Sequence, residues 1–105
     1  MKWMEMIRVR SSSGSLEKGM PEVVQQTQEI GRTSGVADAM VLQHALYDGD
    51  LAVVLVWDTD RGPAQTREGL VLAERLQHYG MVDHAVWKAA PGFEHCAEQS
   101  NKAIS

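Results

Sequence analysis

Cysteine, aromatic residues and long apolar runs are all scarce in this sequence. The one cysteine, Cys96, cannot form an internal disulfide, and the N-terminus lacks the basic and then apolar layout of a signal peptide. Both observations favour the reducing cytoplasm. The longest strongly apolar run covers only residues 51–57, whereas a helix needs about 20 apolar residues to cross a bilayer. We therefore expect a cytoplasmic protein without a membrane partner.

Positive charge is also in short supply. Ten lysine and arginine residues stand against 14 acidic ones, which gives a net charge of -4 and an isoelectric point near 5.5. Proteins that bind nucleic acid neutralise its phosphates with a surplus of basic side chains. This chain has the opposite balance, so we expect no nucleic-acid partner.

The length and composition are those of one small folded domain. The chain has 105 residues, of which 44% are apolar and 23% are charged. Apolar periodicity ends near residue 90, and the residues beyond it are mostly polar. We expect one α+β domain over residues 1–90 and a C-terminal tail over residues 91–105.

Apolar periodicity predicts four strands, over residues 3–10, 37–47, 51–57 and 82–89. Asp48, Gly49 and Asp50 separate the middle two strands, and this composition is typical of a tight hairpin loop with a positive φ. The strand over residues 51–57 is apolar on both faces, as in a strand that neither face exposes to water. It should be central in the sheet.

Two helices complete the pattern. The first is predicted over residues 21–32, because proline suits the first turn of a helix and not its interior. Residues 15–19 are predicted to form a separate turn. The second helix is opened by Gly62 and Pro63, and Gly80 stands where a left-handed C-cap is expected.

The order of strand, helix, two hairpin strands, helix and strand predicts a ferredoxin-like βαββαβ sandwich. Its four-stranded antiparallel sheet carries both helices on one face. The other face keeps half of the central strand, together with either Met40, Leu42 and Leu46 or Ala39, Val41 and Ala45 from the strand before it. Water does not normally contact an apolar patch of this size, so we expect a second copy of the chain to cover it.

One short motif resembles a known family. The hairpin ends in Val56, Trp57 and Asp58, and a helix and a last strand follow it. This arrangement, over residues 3–89, resembles the dimeric α/β-barrel proteins that include the antibiotic-biosynthesis-monooxygenase-like domains. The resemblance implies the ferredoxin-like fold and a homodimer. In that family some members oxidise polycyclic substrates without a cofactor, some degrade haem, and many have no assigned activity.

The sequence departs from the active members of this family at one point. Several of them rely on an asparagine in the cavity, and the only asparagine here is Asn101, in the expected tail. The aromatic and acidic pair at the end of the strand does match, at Trp57 and Asp58. An asparagine-dependent mechanism is therefore not expected.

Two histidines and one arginine are the candidates for catalysis. His44 shares its predicted strand face with Met40 and Leu42, and His84 lies beside Val82 and Val86 on the last strand. Imidazole titrates near neutral pH, so each histidine can be a general base or a hydrogen-bonded structural residue. The two lie on opposite edges of the predicted sheet and would meet only across a dimer.

Arg8 lies in the middle of an inner strand, where a charge needs a partner. It can hold a carboxylate or an enolate in a cavity, or form an ion pair across the dimer interface. Glu5 is placed on the opposite face of the same strand, with Trp3 and Ile7.

Three residues are candidates for ligand binding. Trp57 and Trp87 can form flat apolar walls against an aromatic ligand or pack as ordinary core residues, and Asp58 follows Trp57 at the strand end. No cysteine or carboxylate stands at ligand spacing from the histidines. We therefore expect neither a metal site nor a bound cofactor.

Two functional hypotheses remain open. In the first, the chain is a homodimeric binding or structural module without catalysis. In the second, it is a cofactor-independent monooxygenase or isomerase acting on a small aromatic or enolisable substrate. Arg8 would orient this substrate, and His44 or His84 would move a proton.

Overall fold

A computed structural model describes residues 2–11 and 14–91 of the chain. Apart from residue 91, the expected tail lies outside the described residues, and so do Cys96 and Asn101. The six predicted elements are all present in the predicted order: β1 (Lys2–Arg10), α1 (Ser15–Gly31), β2 (Val36–Gln43), β3 (Asp50–Asp58), α2 (Arg67–Leu76) and β4 (Met81–Lys88). Among these residues, no helix is long and apolar enough to cross a membrane.

The four strands form one antiparallel sheet in the order β2-β3-β1-β4, with β3 and β1 in the centre. Helix α1 contacts β2, and α2 contacts β1 and β4. This arrangement is the ferredoxin-like βαββαβ fold, so the predicted fold class is confirmed. The predicted central position of the apolar third strand is also confirmed.

Successive side chains along β1 and β3 point to opposite faces of the sheet, and the two faces differ. Ile7 pairs with Val53 on the helix side, and the next pair along, Met6 and Val54, points the other way. The helix side forms the core, whose buried sheet residues are Trp3, Ile7, Val9, Leu51, Val53, Leu55 and Trp57. Each fully buried aliphatic side chain of this kind stabilises the fold by about 2 kcal/mol.

We call the other side the open face, because neither helix covers it. Of the alternatives left by the sequence, β2 places Met40 and Leu42 on this face, whereas Ala39 and Val41 turn to the core side. The strands contribute these residues to the open face: Met4, Met6, Arg8, Arg10, Asp38, Met40, Leu42, Ala52, Val54, Val56, Met81, Asp83, Ala85 and Trp87. Leu46 and Ala45 lie beyond the end of β2, in the loop.

Helix α1 begins at Ser15, six residues before the predicted start, and Pro21 lies inside it. The predicted start was wrong because the apolar stripe continues through this segment. Leu16 and Val23 are buried, and Met20 packs against the core. An interior proline costs about 3 kcal/mol, and burying Leu16 and Met20 against the sheet is large enough to offset it.

The connection between β2 and β3 is longer than predicted. The hairpin pairing is confirmed, but β2 ends at Gln43, and residues 44–49 form the loop. Gly49 does not have a positive φ, since Gly14 and Gly35 are the positive-φ residues of the described chain. Glycine is needed at position 49 for space, because a Cβ there would collide with the carbonyl oxygen of Ser11.

The bounds of α2 also differ from the prediction. The helix begins at Arg67, after an N-cap by Thr66, and ends at Leu76 with Gln77 as its C-cap. Gly62 and Pro63 precede it in a loop. Gly80 is not a left-handed cap, because its φ is not positive. Its backbone passes so close to the end of β1 that a Cβ would collide with the carbonyl oxygen of Arg10.

We predict that Gly80→Ala lowers the free energy of unfolding by about 2 kcal/mol, because the added methyl group must push two backbone segments apart. Urea denaturation followed by tryptophan fluorescence measures this change. Gly62→Ala is the matched control, since a Cβ at Gly62 meets no atom within 4 Å. An equal effect of the two substitutions would contradict the close-approach explanation.

Candidate functional site

A cleft of about 800 Å³ opens at the end of the sheet where β1 begins and β3 ends. Trp3 and Trp57 contribute its sheet wall. The segment after α1 (residues 33–35) and the segment from the end of β3 to the start of α2 (residues 58–68) contribute most of the remaining lining. This cleft is the first part of the candidate site.

The two tryptophans of the cleft form a stacked pair. Trp3 and Trp57 are direct partners in the pairing of β1 with β3, and both side chains turn to the core side. Their ring centroids are 5.7 Å apart, and their planes are inclined by 18°. Each residue is only 5% exposed. The pair therefore gives the cleft a fixed aromatic wall.

A buried carboxylate, Glu5, lies two residues along β1 from Trp3 and has no exposed surface. Its Oε1 accepts hydrogen bonds from Trp57 Nε1, at 2.9 Å, and from the hydroxyl of Thr66. Its Oε2 accepts one from the backbone N–H of Thr66, at 3.1 Å, and lies 2.6 Å from His84 Nε2. The two oxygens thus face four hydrogen-bond donors. A carboxylate without a proton can accept this number of hydrogen bonds and has none to donate.

The start of α2 is built around this carboxylate. The Thr66 hydroxyl oxygen accepts the N–H of Gly69 at 3.0 Å, as an N-cap does, and donates its own proton to Glu5. A Cβ at Gly69 would collide with Glu5 Oε2, so glycine lets the helix N-terminus approach the carboxylate. The positive end of the helix dipole favours a negative charge at this position.

Hydrogen-bond counting assigns the tautomer of His84. Its Nε2 faces the acceptor-only Glu5 carboxylate, so Nε2 carries the proton. Its Nδ1 is buried and has no hydrogen-bond partner among the described residues. In the Nε2–H tautomer Nδ1 carries a lone pair that no described residue uses.

The structure brings three of the predicted site residues to this region. His84 pairs with Ile7 on the core side of β4 and contacts Glu5. Trp57 donates to the same carboxylate, and Asp58 lines the cleft while its N–H donates to the carbonyl oxygen of Gly35 at 2.8 Å. These three residues are distant along the chain. They come together because β1 pairs with both β3 and β4.

His44 does not lie where the sequence placed it. Because β2 ends at Gln43, His44 is an exposed loop residue and not part of an apolar strand face. Its Nδ1 accepts the backbone N–H groups of Leu46 and Tyr47, at 3.0 and 3.2 Å. His44 thus closes the hairpin loop, far along the sheet from the cleft.

The remaining candidates, Arg8 and Trp87, lie on the open face. Arg8 is exposed, with Asp83 as its register partner on β4. Trp87 is 54% exposed. Trp57 and Trp87 lie on opposite faces of the sheet, so within one chain they do not line the same cavity.

Three residues of the site were not singled out from the sequence: Glu5, Trp3 and Thr66. The sequence did carry a signal for Glu5, since a carboxylate that alternates with Trp3 and Ile7 must be buried and needs partners. Its partners are 52, 61 and 79 residues away along the chain, so spacing could not identify them. Among residues 2–11 and 14–91, no group of three or more His, Cys, Asp or Glu side chains could hold a metal ion.

The similarity of this chain to known proteins lies in its fold. No family model matches it, and no curated protein matches it. The solved structures include a mutant form of SnoaB from Streptomyces nogalater, a cofactor-independent oxygenase. It is 17% identical, with a TM-score of 0.62 over 89% of this chain and 97% of SnoaB.

Two further structures are similar. An antibiotic biosynthesis monooxygenase is 8% identical, with a TM-score of 0.64 over 85% of this chain and 99% of the other. A conserved protein of unknown function from Bacteroides thetaiotaomicron, called a possible oxidoreductase, is 10% identical, with a TM-score of 0.66 over 84% and 97%. At these identities the likeness shows the fold: the chain has the ferredoxin-like fold of antibiotic-biosynthesis-monooxygenase-like proteins, as the resemblance implied.

We predict that Glu5→Gln lowers the free energy of unfolding by about 3 kcal/mol, because the new amide group brings donors to a position that four donors already occupy. Chemical denaturation measures the loss. Glu74→Gln, at an exposed position of α2, is the control and should stay within about 0.5 kcal/mol of the wild type. If Glu5→Gln were equally mild, the buried carboxylate would not be holding the site together.

Proposed function

We propose that this chain is a homodimeric binding protein that takes a small aromatic molecule into the cleft and performs no reaction on it. The observation that carries the proposal is the fixed wall of Trp3 and Trp57 in a cleft of about 800 Å³. Small-molecule sites commonly enclose about 300–1,000 Å³, with aromatic walls and a few fixed polar groups. The cleft meets both criteria.

The charges around the cleft favour a neutral ligand. Its lining contains two acidic residues, Asp58 and Glu68, and two basic ones, Arg61 and Arg67. The balance gives no net attraction to either sign of ligand charge. Contact with the two indoles, each 5% exposed, is then the apolar part of recognition.

The dimer is proposed from the open face. Leu42 and Trp87 are 45% and 54% exposed, and they share this face with Met4, Met6 and Val56. Exposed apolar residues on one sheet face mark an interaction surface, although this face also carries Arg8, Arg10, Asp38 and Asp83. A second copy on a twofold axis presents the same patch and covers it without a further partner. The single cysteine supports a cytoplasmic location, which is part of the same proposal.

We predict that Leu42→Asp converts the dimer to a monomer, or weakens its association at least about tenfold, because a carboxylate would be buried in an apolar interface. Sedimentation equilibrium measures the association constant. Leu70→Asp is the matched control, since Leu70 is 49% exposed on α2, away from the open face. A dimer that survives Leu42→Asp would overturn this interface.

A second function is favoured by one specific observation, the buried pair of Glu5 and His84. Glu5 and His84 lie behind the cleft lining, where Glu5 contacts His84 Nε2, so a proton from the cleft would reach the carboxylate by way of Thr66. Thr66 lines the cleft and donates its hydroxyl proton to the same carboxylate. The alternative function is therefore a cofactor-independent isomerase or monooxygenase, in which this network accepts a proton from an enolisable substrate and, for oxygenation, molecular oxygen is the co-substrate.

One experiment tests the binding proposal, with the bicyclic aromatic ketone 2-tetralone as the probe. Titration calorimetry should show binding to the wild type. Ala64→Trp should weaken it by about tenfold or more, because an indole at this lining position occupies the cleft. Ala45→Trp, in the exposed loop at the other end of the sheet, should bind as the wild type does. No binding to the wild type, or no effect of Ala64→Trp, would contradict the proposal.

The same probe separates binding from catalysis. In deuterium oxide, NMR follows the exchange of the α-protons of 2-tetralone. The binding proposal predicts exchange at the buffer rate even when the probe is bound. Exchange that the wild type accelerates and that His84→Gln abolishes, with the affinity unchanged, would favour the isomerase or monooxygenase instead.

A further inference from the structure

A groove of about 360 Å³ lies between α1 and α2, and the proposed function does not use it. We call it the helix groove. Thr33, Arg67 and Glu68 line both this groove and the cleft. Thr33 follows the end of α1, and Arg67 begins α2, so both helices lead away from the cleft. The helix groove is therefore a continuation of the cleft.

The middle of the helix groove is apolar, with Ile30, Val71 and Leu72 in its lining. Ile30 and Val71 lie about one helical turn from the shared rim, before Thr33 and after Arg67. Leu72 belongs to the core and is 1% exposed, whereas Val71 is 43% exposed. A ligand that covers such a surface gains stability, because apolar groups leave water. This part of the groove therefore fits a hydrocarbon chain.

The far end of the helix groove carries a cation, Arg75. It lies two turns beyond Arg67 along α2, or about 12 Å at 1.5 Å per residue. Its guanidinium group forms no hydrogen bond or ion pair with the part of the chain that the structure describes. A guanidinium presents a planar set of donors that matches a carboxylate. Arg75 is therefore available to a carboxylate of a ligand.

The other charges of the groove lining lie nearer to the cleft. Arg67 and Glu68 are neighbours of opposite charge at the shared rim. Glu29 lies one turn of α1 before Thr33, or about 6 Å from the rim, which is half the distance of Arg75. No ion pair joins Glu29 to Arg75. Arg75 is thus the charged lining group at the far end.

We infer that the helix groove is a second subsite, which binds an alkyl chain of the ligand and pairs the carboxylate at the end of this chain with Arg75. The ligand class is then an arylalkanoic acid, with its ring in the cleft and its chain between the helices. This inference rests on the proposed function, since it requires that the ring occupy the cleft. It agrees with the balanced charges of the cleft, because the ring is neutral and the carboxylate lies beyond the cleft.

Two acids of different length test the pairing with Arg75. The chain of 8-phenyloctanoic acid is long enough to follow the helix groove, whereas the chain of 3-phenylpropanoic acid is too short. In titration calorimetry at low ionic strength, Arg75→Gln should weaken the binding of 8-phenyloctanoic acid about threefold, which is the scale of an exposed ion pair. The affinity for 3-phenylpropanoic acid should not change. Arg32→Gln is the matched control, because it removes the same charge at an exposed position outside the groove lining.

A bulky substitution tests the apolar part of the groove. Val71→Trp places an indole in the groove and should weaken the binding of 8-phenyloctanoic acid about tenfold. The affinity for 2-tetralone should stay the same, which also shows that the variant is folded. Leu70→Trp is the matched control, since Leu70 is 49% exposed on α2 and does not line the groove.

Several results would overturn the inference. Equal effects of Arg75→Gln and Arg32→Gln on 8-phenyloctanoic acid would reduce the pairing to an effect of net charge. An unchanged affinity of Val71→Trp for 8-phenyloctanoic acid would place the chain outside the groove. A wild type that bound 2-tetralone but not 8-phenyloctanoic acid would remove the second subsite and leave the proposed function intact. If the wild type bound none of the three probes, the proposed function would fail as well.

Discussion

The buried carboxylate of Glu5 is the constraint on which the rest of this structure depends. A charge without exposed surface costs several kcal/mol unless hydrogen bonds replace its lost water. Here they come from three other elements: Trp57 on β3, Thr66 at the start of α2, and His84 on β4. Each donor has to be in place for the carboxylate to be tolerated. The N-terminus of α2 and the orientation of Trp57 are therefore tied to a single side chain of β1, while Leu72, Ala73 and Leu76 pack the rest of α2 into the core.

The two walls of the cleft are built differently. The sheet wall is held by stacking and by the bonds of Glu5. The opposite lining comes from residues 58–66, most of which have no regular secondary structure and are exposed. A fixed aromatic surface beside a loop is a common arrangement for recognition, since the scaffold sets the geometry and the loop varies it.

The element order and the fold followed from apolar periodicity, because the alternation of β1 and β3 and the stripes of both helices are local signals. The errors came from contacts between distant segments. Pro21 was read by its local preference, whereas burial of Leu16 decides where α1 begins. Gly49 and Gly80 were read as positive-φ residues, whereas both make room for the backbone at the end of β1. In the site, Trp57, Asp58 and His84 were found by type and position, but the partners of Glu5 lie too far along the chain for any pattern to connect them.

The strict alternation of β1 has a consequence for how the sequence can change. Every second residue of this strand serves the core, and the residues between them serve the open face. Inserting or deleting one residue in the middle of β1 would exchange these two sets beyond that point, so that Glu5 or Ile7 would face outward and a methionine or arginine would enter the core. Related chains should therefore have no insertions or deletions in β1. We expect these changes in the loop over residues 44–48, all of which are exposed.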